Sequence, residues 1–426
     1  MSGAGNRSFI QRSFGKMEPG SLRGSILTLI ITAIGGGTLS LPYAMVQSGC
    51  ILGLILILLG AIAAIWSFDL IIQTLKRTGR ITSVKEFCIK SGGPKLEIFY
   101  NVIVVLTLYG SICAFNIIVK TLLLDIIKLI WGPTNPNINL YSNLEVIIAI
   151  VVIVFPFSLF WTMNQLRYFA IVSFCAIIYV VIILIAETPA YFAKFNPWSH
   201  PEKGFHYHSF IFDFNILNSF AIGFYAFTCQ TSFFPIFSEL AIPNQRRAYK
   251  IVYRSMFVNW LFYTLIALAG YLSTFDQTPH VVLNRRPLSD DPNAHDYKLL
   301  VGSVAISFSL IFASPLNYNP FRTSLLNLIF PNNPKLTWPR VITISILFCS
   351  SIAFLVILFA DYIINVIGII GGIGCVAICF VIPVIAYISI YPEPEFKTKR
   401  IISICLGIIL SIIGLGATVV SIIGML

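Results

Sequence analysis

From residue 22 to residue 424 the chain is a succession of long apolar runs, broken by short segments in which the charged residues collect. A helix needs roughly 20 apolar residues to cross the hydrocarbon core of a bilayer. On that measure the pattern predicts eleven spans, near 22–46, 50–74, 96–120, 144–163, 167–189, 211–237, 252–273, 298–320, 340–360, 362–391 and 400–424. The charges give an independent check. With the N-terminus inside, the inner segments hold 21 of the 28 Lys and Arg, and the outer ones only Lys120, Lys128, Lys194, Lys203, Arg285, Arg286 and Lys298. An excess of positive charge in inner loops is what fixes membrane orientation. The alternation therefore predicts the N-terminus inside and the C-terminus outside.

Composition agrees. The chain is 57% hydrophobic and 11% charged, with a mean hydropathy of +0.87. Soluble domains carry roughly 25% charged residues, so a water-soluble fold has too few polar side chains here to cover its outside. The net charge of +11 invites a nucleic-acid reading, but the basic residues sit in loops between spans, where topology accounts for them. No nucleic-acid partner is expected; the lipid bilayer is. The nine cysteines are scattered singly, several of them (Cys113, Cys175, Cys375, Cys379, Cys405) inside apolar runs, where they act as small hydrophobes. No disulfide framework, metal site or cofactor is expected. His206-x-His208 reads as solvated loop histidines. The basic start of the chain (Arg7, Arg12, Lys16) reads as an inner-side tail, with a mitochondrial presequence as the alternative.

Two spans depart from plain leucine, isoleucine and valine. The first contains Gly35-Gly36-Gly37-Thr38-Leu39-Ser40-Leu41-Pro42. Three glycines followed by a proline cannot continue a regular helix, and freed backbone groups are tolerated at membrane depth only where they face protein or a water-filled cavity. The sixth has Gly223, the polar run Thr228-Cys229-Gln230-Thr231-Ser232 and then Pro235. Spans one and six open successive groups of five, and both are interrupted, which is the pointer to an inverted-repeat transporter. The organisation expected is a tail over 1–21, a first five-helix repeat over 22–189, an outer loop over 190–210, a second repeat over 211–391, and a loop with the eleventh helix over 392–426. Broken helices leave N–H groups and carbonyls unpaired at their facing ends, so a zwitterionic amino acid suits the site.

These residues resemble a known family. Gly35 to Ala44 resembles the first-helix motif of the amino acid/auxin permease family. Phe224-Tyr225-Ala226-Phe227-Thr228-Cys229-Gln230 through Phe234-Pro235-Ile236-Phe237-Ser238-Glu239-Leu240 is similar to its sixth-helix signature. Pro315-Leu316-Asn317-Tyr318-Asn319-Pro320-Phe321-Arg322 is similar to its eighth-helix pattern, and Gly368 to Pro383 to its tenth span. The resemblance covers nearly the whole chain. It implies an all-α integral membrane protein of the LeuT type, with five plus five inverted helices and one extra.

Candidate substrate-binding residues are Gly35, Gly36, Gly37 and Thr38 as a carboxylate cradle, with Phe224, Tyr225, Phe227 and Thr228 opposite and Tyr109 closing one wall. Phe115, Gln230, Ser314, Asn317 and Asn319 are candidates for the pathway. No basic or acidic residue is read at mid-span, so a neutral amino acid is the expected substrate. Acids such as Asp69, Glu187, Asp213, Glu239 and Asp361 fall near span ends and read as interfacial anchors. The family's sodium-coupled members place an asparagine where Ile31 stands and a hydroxyl residue where Ala313 stands. The resemblance therefore implies a substrate site without that coupling, leaving uniport or a proton link open. The alternative is a transporter fold kept as a structural subunit of a larger membrane complex; a channel is weaker, because no ring of charges or carbonyls suggests a filter. No catalytic constellation is found, and no enzyme is expected. The sole glycosylation sequon, at Asn6, lies on the expected inner side. A plasma or vacuolar/lysosomal membrane is favoured, with the mitochondrial inner membrane as the alternative.

Overall fold

A computed structural model describes residues 21–79, 81, 83–132, 135–159, 167–289, 296–331, 337–391 and 397–425, giving the backbone alone for 167–171. The basic tail, Asn6, Asp290 and Asp291 lie outside them. All regular structure among the described residues is helical. The helices are α1 (Leu22–Ala33) and α2 (Leu41–Ser48), joined by a tight turn over Gly36–Ser40, then α3 (Cys50–Thr78), α4 (Val84–Trp131), α5 (Ile138–Ser158) and α6 (Arg167–Phe195). The second half holds α7 (Ile216–Ala226), α8 (Gln230–Ser238), α9 (Gln245–Thr274), α10 (Tyr297–Ile329), α11 (Trp338–Leu358), α12 (Ala360–Ile390) and α13 (Lys397–Ile423). Among the described residues ten stretches are long and apolar enough to cross a membrane, eleven with α1 and α2, bent by 54° at their junction, counted as one span. With an odd number of spans, Leu22 and Ile423 lie at opposite ends of the bundle, called proximal and distal below.

Only helices and closed barrels can satisfy their backbone in hydrocarbon, and local signals decide where each helix starts. Ser83 accepts from the Glu86 amide, Asn244 from the Arg247 amide at 2.8 Å and Asp296 from the Leu299 amide, so side chains serve N–H groups that have no intrahelical acceptor. Several spans run past their expected bounds, the third most of all. Where a span over 96–120 is expected, the helix already begins at Val84 and runs to Trp131, with a kink at Gly93, whose φ of 71° is the left-handed conformation glycine allows. The pair Gly93-Pro94 ends one helical stretch and starts the next, so both share one element.

Large apolar side chains face outward, as on α13, where Ile408, Ile412, Leu415 and Val419 are exposed while Ser403, Gly407, Gly414, Ala417, Thr418 and Ser421 face the bundle. Contact between helices in lipid has no hydrophobic drive and relies on close packing of small residues. The π-helical middle of α12 shows this. A Cβ at Gly371 would lie 2.2 Å from the Ala221 carbonyl oxygen, one at Gly374 2.2 Å from Thr107 Oγ1, and one at Gly372 2.4 Å from the Gly414 carbonyl oxygen. These glycines let α12 touch α7 and α13 backbone to backbone and seat the Thr107 side chain of α4.

At the proximal end Asp69 behaves as the expected anchor. Its carboxylate accepts from Tyr249 Oη and Lys399 Nζ, each at 2.6 Å, and from Gln73 Nε2, tying α3 to α9 and α13. Lys399 and Asp69 are 37% and 24% exposed, and exposed pairs contribute about 0–1 kcal/mol. Asp69→Asn should therefore lower stability in detergent by about 1 kcal/mol once a shared hydrogen bond is counted. A loss of several kcal/mol in a melting series would contradict this.

Candidate functional site

The first span breaks where the glycines predict. Helix α1 ends at Ala33, Gly35 is extended (φ −139°, ψ −162°), and the chain turns back into helix through Gly36–Ser40. Of the three interruptions in the sixth span, the break falls at the polar run and not at Gly223. Gly223 lies inside α7, where its carbonyl accepts the Phe227 amide, and the non-helical residues are Phe227, Thr228 and Cys229. Hydrogen bonding explains the position. Thr228 Oγ1 donates back to the Phe224 carbonyl at 2.6 Å, and the side chain of Gln230 accepts the Cys229 amide at 2.9 Å, so the polar run supplies its own end caps.

The two breaks face one cavity of about 520 Å³, within the roughly 300–1,000 Å³ usual for small-molecule sites. Gly35, Gly36, Gly37, Phe115, Tyr225, Thr228 and Asn317 all line it. The fit is tight: a Cβ at Gly37 would lie 2.6 Å from Cδ1 of the Tyr225 ring, and one at Gly36 3.0 Å from Cδ1 of Ile118 and 3.2 Å from the Phe115 ring. The walls carry hydroxyl, amide, aromatic and thiol groups and, among the described residues, no Lys, Arg, Asp, Glu or His. The cavity extends to Ser83 and Val84, where α4 starts, and to Pro235 on α8, so it reaches toward the proximal end. On the distal side the halves close: Ser219 on α7 donates to the Ala44 carbonyl of α2 at 2.8 Å, and the rings of Tyr43 and His280 meet edge to face at 4.4 Å.

Other candidates sit elsewhere. Phe224 packs against Phe380 and Phe220, and Phe227 against Tyr263 and Gly60. Thr38 is fully buried, and its hydroxyl lacks a partner. Tyr109 turns away to donate to Ser351 at 2.9 Å. Gln230, besides its capping bond, accepts from Cys379 Sγ. Ser314 is held between the Leu310 carbonyl and Asn116 Nδ2, and Asn319 accepts from Arg322, which also donates to the Ser158 carbonyl.

Three features escaped the sequence reading. Thr107 and Ser111, eight and four residues before the candidate Phe115, continue its stripe on α4 facing the cavity. That spacing is legible, but small hydroxyl residues are common in membrane helices. Glu145 lies inside α5, half-buried, with Oε2 unpartnered, although it does not line this cavity; the expectation that acids stay at span ends fails there. Tyr263 on α9 is fully buried, and its hydroxyl stands 2.8 Å from both the Ala33 and Ala226 carbonyl oxygens, the last residues of α1 and α7. No periodicity foretells this contact. One hydroxyl hydrogen serves one carbonyl at a time, so the other keeps an unfilled acceptor at the cavity wall. Tyr263→Phe keeps the shape and removes the hydrogen bond; the expected loss is about 1–3 kcal/mol of stability, read as a lower melting temperature in detergent. An unchanged melting temperature would show the hydroxyl to be dispensable.

An all-helical bundle whose first and sixth spans break around one uncharged cavity has the architecture of a secondary carrier. The chain belongs to the transmembrane amino acid transporter protein family, whose model matches residues 18–426; it is a membrane protein of an amino-acid transporter family and not of an enzyme family. A Toxoplasma gondii protein provisionally named amino acid transporter AAT1 is 27% identical over 330 residues, 75% of this chain and 42% of that relative, so the present chain spans less than half of the relative's length. A solved Na+-coupled sialic acid symporter in a substrate-bound outward-open state aligns over 94% of this chain and 95% of its own, at 10% identity and a TM-score of 0.45.

Proposed function

We propose that the protein moves neutral amino acids by alternating access, with the cavity at the two breaks as the substrate site. The uncharged wall carries this reading. A net-charged substrate would meet no fixed counter-ion there, whereas a zwitterion is balanced by backbone dipoles. The free N–H groups that begin the Gly36–Ser40 turn take the carboxylate. The carbonyls of Ala33 and Ala226, of which Tyr263 occupies one at a time, take the ammonium group. Tyr225, Phe115, Thr228 and Asn317 surround the side chain.

Coupling to sodium has no support in the residues. The Ile31 side chain offers no oxygen, and the Ser314 hydroxyl is already engaged by Leu310 and Asn116. The mode is uniport or proton-linked; for the latter Glu145 is the first residue to test, since an acid within a span is a functional candidate. The charge distribution supports an inner N-terminus and an outer C-terminus, which makes the state described here inward-open. A plasma or vacuolar/lysosomal membrane is the favoured location.

The test is uptake of labelled neutral amino acids into proteoliposomes under a sodium gradient, a pH gradient or neither. Uptake without sodium is expected. Strict sodium dependence would overturn the coupling assignment, and only background flux in every condition would overturn the transport reading.

A further inference from the structure

A second cavity, of about 610 Å³, lies at the distal end between α4, α5, the segment after α9 and the junction of α11 with α12. It shares no lining residue with the central one, although both use α4: Phe115 faces the central cavity, and Lys120, five residues on, faces the distal one. At a rise of 1.5 Å per residue these positions are about 8 Å apart along the helix.

The chemistry of its walls differs from that of the central site. Lys120 and Asp361 both line it, and their charges attract without forming an ion pair; neither has a hydrogen-bonded partner among the described residues. Three more lining residues hold oxygens with no partner: Ser142 Oγ, on a residue only 1% exposed, Asn143 Oδ1 and Asn284 Oδ1. Asn284 is fixed with that oxygen left over, because its Nδ2 donates to the Thr121 carbonyl at 3.0 Å. Buried polar atoms are nearly always paired, and an unpaired one is costly. Here three cluster beside one cation and one carboxylate held apart.

We infer that this distal cavity is a second binding site for a zwitterionic amino acid. Lys120 holds the carboxylate; Asp361 holds the ammonium group, whose three N–H donors are matched by the carboxylate together with the unpaired oxygens after side-chain rotation. An anion alone would leave Asp361 and the acceptor oxygens unserved, and a cation alone would leave Lys120 unserved. The inference rests on the proposed function for the identity of the ligand, and it adds a station on the distal side at which substrate is held apart from the central cavity.

Thiol protection tests it in the full-length protein in detergent. Asn139, an exposed residue of the cavity wall, is replaced by cysteine after the exposed native Cys175 and Cys405 are changed to serine. Modification by a trimethylammonium methanethiosulfonate is then timed. An equimolar mixture of L-alanine, L-leucine, L-glutamine and L-phenylalanine should slow it, whereas ethylamine or propionate should not. Lys120→Met and Asp361→Asn should each weaken protection about tenfold, as expected for one charge-assisted contact. Protection should survive Gly37→Leu, which fills the central cavity. Equal protection by ethylamine or propionate, loss of protection with Gly37→Leu, or no protection in a protein that still transports would each overturn the inference. Protection without transport would keep this site and remove the proposed function instead.

Discussion

Gly37→Ala is expected to reduce uptake about tenfold or more while leaving the protein folded. The added methyl carbon would stand 2.6 Å from Cδ1 and 3.1 Å from Cε1 of the Tyr225 ring, and 3.5 Å from the Cα of Ala226. Real side chains do not approach so closely, so Tyr225 must turn or the turn over Gly36–Ser40 must move. Tyr225 itself lines the cavity. Overpacking of this kind costs about 1–3 kcal/mol, and about 1.4 kcal/mol is a factor of ten in an equilibrium. Because the cost falls on the two broken segments, it should appear in transport before it appears in global stability. A double-mutant cycle checks the mechanism. Tyr225→Ala removes the obstructing ring, so the double variant should lose less uptake than the two single losses predict. Additive losses, or unchanged uptake in Gly37→Ala with normal gel-filtration behaviour, would show that this contact does not set the site.

The largest loss of stability is expected from Arg285→Met. Arg285 has a fully buried side chain that pairs with Glu187 at the end of α6, approaches Asp296 at 3.8 Å and lies over the Tyr191 ring at 3.9 Å. Glu187 also meets Lys298 Nζ at 3.1 Å, but that lysine is 70% exposed. The cluster fastens α6, the segment after α9 and the first turn of α10 together at the distal end. Removing one partner of a buried ion pair strands the other and costs about 3–5 kcal/mol. Methionine keeps much of the packing volume, so the loss reports the charge. Restoring neutrality with Glu187→Gln in the same protein should recover part of it. The measurement is thermal unfolding in detergent; a loss below about 1 kcal/mol would put the cluster in the class of surface pairs.

How much of this was legible depended on whether the signal was local. The three glycines and Pro42 mark the first break because they weaken the helix whatever surrounds them. For the sixth break the sequence offers Gly223, the polar run over 228–232 and Pro235 together; the hydrogen bonds of Thr228 and Gln230 put the stop at the polar run and leave Gly223 inside the helix. Span three looks shorter in the sequence than it is, because the charged residues before Gly93 resemble a loop, whereas the capped helix from Val84 carries them. Of the candidate residues, Gly35, Gly36, Gly37, Tyr225 and Thr228 at the breaks converge on the cavity with Phe115 and Asn317, whereas Thr38 does not. Tyr109, Phe224 and Phe227 were indistinguishable from them in sequence, since an aromatic side chain suits a binding wall and a helix interface equally well.

The sequence alone determined that the chain lies in a membrane, how many times it crosses, and that its first and sixth spans are broken. Those properties follow from apolar run length, charge alternation and residues that disfavour helix, all local. Only the tertiary structure decided which faces of α4, α8 and α10 line the cavity with the glycines, that Tyr263 bridges the carbonyls of both breaks, and that Lys120 and Asp361 face one distal cavity. These depend on helix rotation and close approach, which close packing of small residues sets in lipid and which no single segment encodes. Both breaks are therefore written in the chain, while their meeting around one cavity is a product of packing.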